Sequence, residues 1–254
     1  MKSLTVIIPV FELNDNKTQL LTKAINSVDD SKIIIVGPKA DIEKVVGLGP
    51  MKGDVTTLVN DSDNASYAYQ VNLAVDKINT DYFSVLEYDD EFTANWFKNV
   101  QIYLDTDVDN TFAFLPLTEV VDVEFGPIGY ANEAVWASSF SDEIGCYDIQ
   151  SLEDYLDFNT SGGVFKTSDF KNLGMLKASM KLSFWYEFLL RALYKGKRIY
   201  VIPKVGYIHT VGRDNSLTSL YMNNMEEKEA NWWIDLAKKE YFFPQDRNKK
   251  YTEE

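Results

Sequence analysis

Within the first 90 residues, short uninterrupted apolar runs alternate with helix-periodic stretches, an alternation that few architectures accommodate. Leu4-Thr-Val-Ile-Ile-Pro-Val-Phe11 is dense in β-branched residues, as a strand covered on both faces requires, and Pro9 ends its ladder because it has no N–H to donate. Asn16 to Val28 then sets Leu20, Leu21, Ala24, Ile25 and Val28 along one helical stripe. Ile33-Ile-Ile-Val36 is a second buried run, broken by Gly37-Pro38, after which Asp41 is placed to cap a short helix carrying Ile42, Val45 and Val46. Val55 to Val59, Tyr67 to Ile78 and Phe83 to Leu86 repeat the cycle. Strand-helix-strand units of this length imply right-handed crossovers, so the fold class read here is α/β, with a mostly parallel central sheet flanked by helices.

The fourth strand runs directly into acid. Asp81-Tyr-Phe-Ser-Val-Leu-Glu-Tyr-Asp-Asp-Glu-Phe92 ends in Glu87, Asp89, Asp90 and Glu91, and in open parallel sheets ligands gather at the carboxyl ends of the strands. Residues two apart on an extended chain point the same way, so Glu87 and Asp89 can converge on one hard cation, Mg²⁺ or Mn²⁺, with Asp90 beside them. Such a cation commonly holds a diphosphate. A solvated acidic turn is the plainer alternative.

Composition narrows the field. With 254 residues, 45% of them hydrophobic, the chain can build one large packed domain. A net charge of −14 without a Lys/Arg cluster argues against a nucleic-acid surface, so an anionic ligand needs a metal or a local basic patch. Cys146 is the single cysteine, which excludes an internal disulfide framework, and His209 is the single histidine, which excludes His-rich zinc chemistry. The run from Leu4 to Val10 is too short for a signal peptide or a membrane span; the reading is a soluble, reduced, cytoplasmic protein.

Further along, Asn95 to Leu104 reads as a helix and Thr111 to Leu117 as a strand. From Val120 to Phe158 the periodicity weakens, which reads either as a substrate-facing insertion or as an ordinary surface excursion. Gly162-Gly163 allows either a sharp turn or close approach to a ligand. Leu182 to Leu193 is a strongly apolar helix in which Glu187 and Arg191 form an i,i+4 pair. Arg198 to Pro203 reads as a strand and Gly206 to Ser216 as a polar loop. The division expected is a main domain over 1–222 and a helical tail over 223–254, whose amphipathic stretch carries Trp232 and Trp233 and packs on the domain or on a partner, a homo-oligomer included.

Taken together these residues resemble the inverting glycosyltransferases of family 2, which have a GT-A, Rossmann-like fold, and the resemblance spans roughly residues 3 to 216. Val6-Ile-Ile-Pro-Val-Phe11 looks like the family's opening strand, Leu86-Glu-Tyr-Asp-Asp90 stands where the family writes Leu-Asp-x-Asp-Asp, and Asn72 sits where the family has an Arg-Asn pair. Tyr186-Glu-Phe-Leu-Leu-Arg191, Ile202-Pro203 and Tyr207-Ile-His209 look like its acceptor-side helix, closing strand and closing loop. Departures accompany the matches. Val36-Gly-Pro-Lys-Ala-Asp41 replaces the family's Val-Asp-Asp-Gly-Ser, which grips uracil and ribose; Val71 replaces its Arg, and Phe184-Trp185 replaces the Glu-Asp pair that holds its general base.

The resemblance implies transfer of a sugar from a nucleotide diphosphate sugar, with a UDP-sugar favoured, to a hydroxyl of a saccharide or protein, with inversion and with Mn²⁺ or Mg²⁺ as cofactor. Asp89, Asp90 and His209 are the expected metal ligands, and Pro9, Phe11, Glu12, Gly37, Asn72, Glu87, Tyr88 and Arg213 the expected donor contacts. His209 could instead be a structural hydrogen-bonding residue. Glu187 is the nearest candidate base, with the salt bridge to Arg191 as its other reading; failing it, Glu133, Asp142, Glu143 and Asp148 are available. Two alternatives stay open: a GT-A-like binder of carbohydrate or nucleotide sugar without turnover, and a nucleotidyltransferase, for which the loop Glu12 to Asn16 lacks the Gly-rich, basic character.

Overall fold

The computed structural model describes residues 2–105, 111–133, 145–154, 158–213 and 225–241. The first half follows the sequence pattern: β1 (Leu4–Pro9), α1 (Asp15–Ser27), β2 (Lys32–Pro38), α2 (Lys39–Gly47), β3 (Asp54–Asn60), α3 (Tyr67–Lys77) and β4 (Tyr82–Val85). Then come β5 (Glu91–Phe92), α4 (Trp96–Leu104), β6 (Thr111–Asp122), β7 (Gly126–Ala131), β8 (Gly145–Tyr147), α5 (Ile149–Asp154), β9 (Val164–Lys166), α6 (Thr167–Asn172), α7 (Phe184–Tyr194), β10 (Arg198–Val211) and α8 (Glu227–Tyr241).

One sheet runs through the molecule in the order β3-β2-β1-β4-β9-β6-β10-β5, with β7 paired to β6 and β8 to β10. The pairs β1–β2, β2–β3, β1–β4 and β6–β10 are parallel, while β9 runs antiparallel to both β4 and β6. Chain order reverses across β1, since β2 lies on one side of it and β4 on the other; a crevice therefore opens at the carboxyl ends of β1 and β4.

Val6, Ile7 and Ile8 are wholly buried, each contributing about 1.5–3 kcal/mol relative to exposure. Ile7 faces the core half built from α3, β4, β9 and α7, whereas Val6 and Ile8 face the half built from α1, α2 and α4. That two-sided burial is why the opening strand is continuously apolar.

Several local expectations are corrected. Asp41 does not cap α2: it is buried and accepts the N–H groups of Glu12 and Leu13, at 3.0 and 2.8 Å, so it shapes the loop after β1 instead. The stretch after Val120 is more regular than its composition suggested, because β6 continues to Asp122 and pairs with β7. The region from Gly206 is not a loop at first. β10 extends through Val211, with register shifts between Ile202 and Val205 and between Val205 and Tyr207 that reset its alternation. Helix α8 lies against the main domain: Ala237 is buried and Trp233 packs on the core. Among the described residues no helix is long and apolar enough to cross a membrane.

Candidate active site

The acidic segment is pinned from three sides. Leu86 N–H bonds the carbonyl of Ile7 at 2.9 Å, continuing the β1–β4 ladder past the strand end. Glu87 N–H bonds the Tyr207 hydroxyl at 3.0 Å, and the Val85 carbonyl accepts from Gly162 at 2.9 Å. Beyond the turn, Phe92 and Glu91 pair with Tyr207 and Ile208 of β10. The two residues of β5 thus carry the acids across to the end of β10, where His209 stands.

Gly162 is required at this junction. Its φ is +73°, and a Cβ there would lie 2.4 Å from the Tyr207 ring. The paired glycines therefore serve the turn, and the turn supports the ring that holds Glu87.

Asp90 is almost fully buried, and both its oxygens are engaged: Oδ1 accepts the Thr210 N–H and Oδ2 lies 2.8 Å from His209 Nδ1, each at 2.8 Å. Asp89 pairs with Arg213 at 3.2 Å, and Arg213 also donates to the Asp89 carbonyl at 2.6 Å. Glu87 accepts the Tyr67 hydroxyl at 2.8 Å.

Crowded acids perturb one another. Burial and then the charge of Asp90 push the Glu87 carboxyl up to about 8, against the pull of Tyr67, so near neutral pH it is largely protonated. Burial and Asp90 also raise Asp89, although Arg213 opposes them. For His209, burial acts to lower its pKa, but the hydrogen bond and charge of Asp90, with Glu87 and Asp89 behind, carry it above its ordinary value.

These groups border a cleft of about 430 Å³, lined among others by Tyr67, Glu87, Asp89, Ser161, Trp185 and His209, a size within the ~300–1,000 Å³ usual for small-molecule sites. A recess of only about 20 Å³ adjoins it, sharing Tyr67, Glu87 and Tyr88 and walled by Pro9, Phe11, Lys17, Ala65 and Gln70.

The structure brings Pro9, Phe11, Glu87, Tyr88, Asp89, Asp90, His209 and Arg213 to this groove or its margin. It does not bring Gly37, Asn72, Glu12 or Glu187. Gly37 packs against Val10, where a Cβ would lie 2.6 Å from Val10 Cγ2. Asn72 brackets the backbone of Leu176, donating to its carbonyl at 2.8 Å and accepting its N–H at 3.0 Å. Glu12 is exposed, with its N–H on Asp41. Glu187 is 1% exposed, and its oxygens are held by Lys177 at 3.0 Å and Arg191 at 2.8 Å. A carboxylate so enclosed is not positioned to take an acceptor proton in the groove; its salt-bridge reading is the one the geometry matches.

Of the substitutes, Glu133 is exposed and Asp148 accepts from Ser151, while Asp142 and Glu143 lie outside the described residues. Nothing in the sequence singles out Tyr67, Lys17, Gln70 or Ser161. Their side chains are ordinary helix and turn residues in the sequence, and only the folding of α1 and α3 against β1 and β4 brings the first three together.

No protein-family model and no curated protein sequence matches the chain. Among solved structures it is similar to S. aureus TarS in complex with UDP-GlcNAc, with a TM-score of 0.68 over 92% of this chain and 65% of that one at 14% identity. The fold is GT-A. The UDP complex of TarS gives a TM-score of 0.60, covering 83% of this chain and 61% of that one at 15% identity. Against the longer TarS chain the TM-score is 0.61, with 82% of this chain and 37% of that one covered. The present chain thus spans less than two thirds of the length of these GT-A proteins.

Carboxylate oxygens are the donors a hard divalent cation takes, but Asp90 Oδ2 and His209 Nδ1, 2.8 Å apart, are bonded to each other, so a cation here would meet the Asp89 carboxylate or the other ring nitrogen of His209. Among the described residues no group of three or more His, Cys, Asp or Glu side chains is arranged to hold a metal ion. A cation here would therefore take its other ligands from water and phosphate oxygens, as Mg²⁺ commonly does.

Proposed function

We propose that this chain transfers a sugar from a nucleotide diphosphate sugar, a UDP-sugar by preference, to a hydroxyl acceptor, using Mg²⁺ or Mn²⁺ held beside Asp89, Asp90 and His209. One observation carries the reading: in a GT-A fold, a cleft of about 430 Å³ at the carboxyl ends of β1 and β4 sets paired acids and cations beside aromatic side chains. TarS, at 14–15% identity, is described in complex with UDP-GlcNAc and with UDP, which supports the uridine preference.

The bound cation would supply positive charge to the departing diphosphate. Arg213 brings a second cation to the same rim, held in place by the Asp89 carboxylate and carbonyl. Asp90 keeps His209 in one orientation, and Thr210 N–H fixes Asp90 in turn. Glu87, mostly neutral near pH 7, adds no full charge where the diphosphate would lie, and Tyr67 holds one of its oxygens.

A second reading, a GT-A binder without turnover, is favoured by the position of Glu187, which leaves the groove without the base expected from α7. Incubating the protein with a panel of nucleotide sugars, Mn²⁺ and sugar acceptors, and measuring nucleoside diphosphate release, separates the two. Release from one donor supports transfer. Binding without release from any donor supports the binder, and absence of binding defeats both.

A further inference from the structure

Helix α8 carries two adjacent indoles, and the fold gives them different surroundings. Neighbouring side chains on a helix point about 100° apart, so Trp233 turns onto the core while Trp232 stays 53% exposed. Their rings meet edge to face, with centres 4.6 Å apart and planes at 72°, and such a contact steadies the outer ring. A single exposed aromatic needs no explanation on its own. This one borders a cavity of about 300 Å³ between α8 and the stretch from Lys177 to Glu187, at the lower end of the ~300–1,000 Å³ of small-molecule sites.

The lining narrows the class of ligand. Met180, Leu236, Ala237 and the two indoles give an apolar floor, and the exposed Ser179 and the Lys177 ammonium give a polar edge. Among the described residues the ionised side chains of the lining are Lys177 and Glu187, 3.0 Å apart. Glu187 is 1% exposed, so it meets no ligand and offsets the lysine. A phosphate or an acidic peptide therefore finds no surplus cation here, and a basic peptide finds no reachable acid. A purely apolar chain would take the polar edge out of water without replacing its hydrogen bonds. An uncharged sugar ring suits both parts: its weakly positive C–H face matches the electron-rich face of an indole, and its hydroxyls match Ser179 and Lys177. The same stretch of chain also borders the active-site cleft, whose wall includes Leu182, Ser183 and Trp185.

We propose that this cavity is a second saccharide subsite, in which Trp232 stacks on one uncharged ring of an oligosaccharide acceptor whose reacting end occupies the cleft. The assignment rests on the glycosyl-transfer reading above. It narrows the acceptor to a chain of sugars, as against a lone monosaccharide or a protein hydroxyl.

The test is fluorine NMR of the full chain labelled with fluorotryptophan, titrated with mono-, di- and tetrasaccharides of glucose, mannose and N-acetylglucosamine. The Trp232 resonance is the one lost in Trp232→Phe. At least one tetrasaccharide is expected to move that resonance saturably and to bind about tenfold more tightly than its monosaccharide. Trp232→Ala should remove that gain while leaving UDP affinity in Mn²⁺ unchanged and the melting temperature close to the parent's, because the ring is half exposed. Ser179→Ala should cost about threefold, the range of one neutral hydrogen bond. A Trp232 resonance unmoved by every saccharide, or a tetrasaccharide gain that survives Trp232→Ala, overturns the subsite. UDP binding in the same samples then leaves the nucleotide-sugar reading standing, whereas its absence overturns both.

Discussion

Two clusters of charged side chains in this molecule use the same residue types to opposite ends. At Glu187 one carboxylate meets two cations, Lys177 and Arg191, and Arg191 also donates to the carbonyls of Leu173 and Met175. Around Glu87, Asp89 and Asp90, three carboxylates share Arg213 and a histidine. The first cluster is enclosed and clamps α7 to the loop before it. The second borders open space, and there burial and the charge of Asp90 raise the pKa of Glu87 and of Asp89, so that Glu87 stays largely protonated near pH 7. Carboxyl groups crowded and perturbed at a cleft wall are unfavourable for the fold alone, which marks this wall as a candidate functional site.

The largest effect that would break this contrast is on stability. Glu187→Ala leaves Lys177 and Arg191 without their carboxylate, and a loss of about 3–5 kcal/mol is expected in urea unfolding. Nucleotide affinity of the remaining folded protein should be unchanged; a variant as stable as the parent would show that the cluster is not a clamp. Next in size, Asp90→Asn should weaken UDP binding in Mn²⁺ by about 10–100-fold with much less effect on unfolding. Chelation of the parent by EDTA should cost a comparable factor and cost the Asp90→Asn variant nothing further. If EDTA leaves affinity untouched in both, the cation assignment fails.

A smaller effect sharpens the comparison within the cleft. The Tyr67 hydroxyl stabilises the charged form of Glu87, so Tyr67→Phe should move the Glu87 titration still higher than about 8, measurable by carbon NMR of the carboxyl group. A downward move would mean that the hydroxyl favours the neutral acid. The smallest effect lies outside both clusters. Asp81 accepts the N–H and hydroxyl of Ser3 at 2.8 Å each, which lowers its pKa in the folded state. Its contribution is therefore present above the ordinary carboxylate value of about 3.9 and is lost as pH falls through the lowered one. The urea midpoints of the parent and Asp81→Asn should differ slightly at pH 6 and converge in acid.

Much of the scaffold could be read from the sequence because parallel strands buried on both faces must be apolar throughout, as Val6 to Ile8 and Ile33 to Val36 are. The acids at the end of β4 could be read for a similar reason, since a strand end in such a sheet is a defined place. The course of β10 could not. Two register shifts between Ile202 and Tyr207 break the alternation that would have extended the strand to His209. Nor could the fate of Glu187 or Asp41, because a carboxylate on a helix looks the same whether it meets solvent, a backbone N–H or two cations. Lys17 was hidden for the opposite reason: a lysine in a first helical turn is normally solvated, and its burial depends on Phe11 and Tyr88, one of them 71 positions away.

The contact between Gly162 and Tyr207 has a bearing on how this groove can diversify. Gly162 also offers its carbonyl to Trp96 Nε1 at 2.8 Å, and Gly206 leaves only enough room for the Trp96 ring, 2.4 Å from where a Cβ would stand. Two glycines and two aromatic rings therefore interlock behind the acids like the tumblers of a lock. Substitutions at the rim can be screened freely for new donors or acceptors, whereas even a methyl group added behind the rim would displace the ring that holds Glu87. Libraries built on this scaffold should accordingly spare residues 96, 162, 206 and 207 and spend their diversity on the exposed side of the groove.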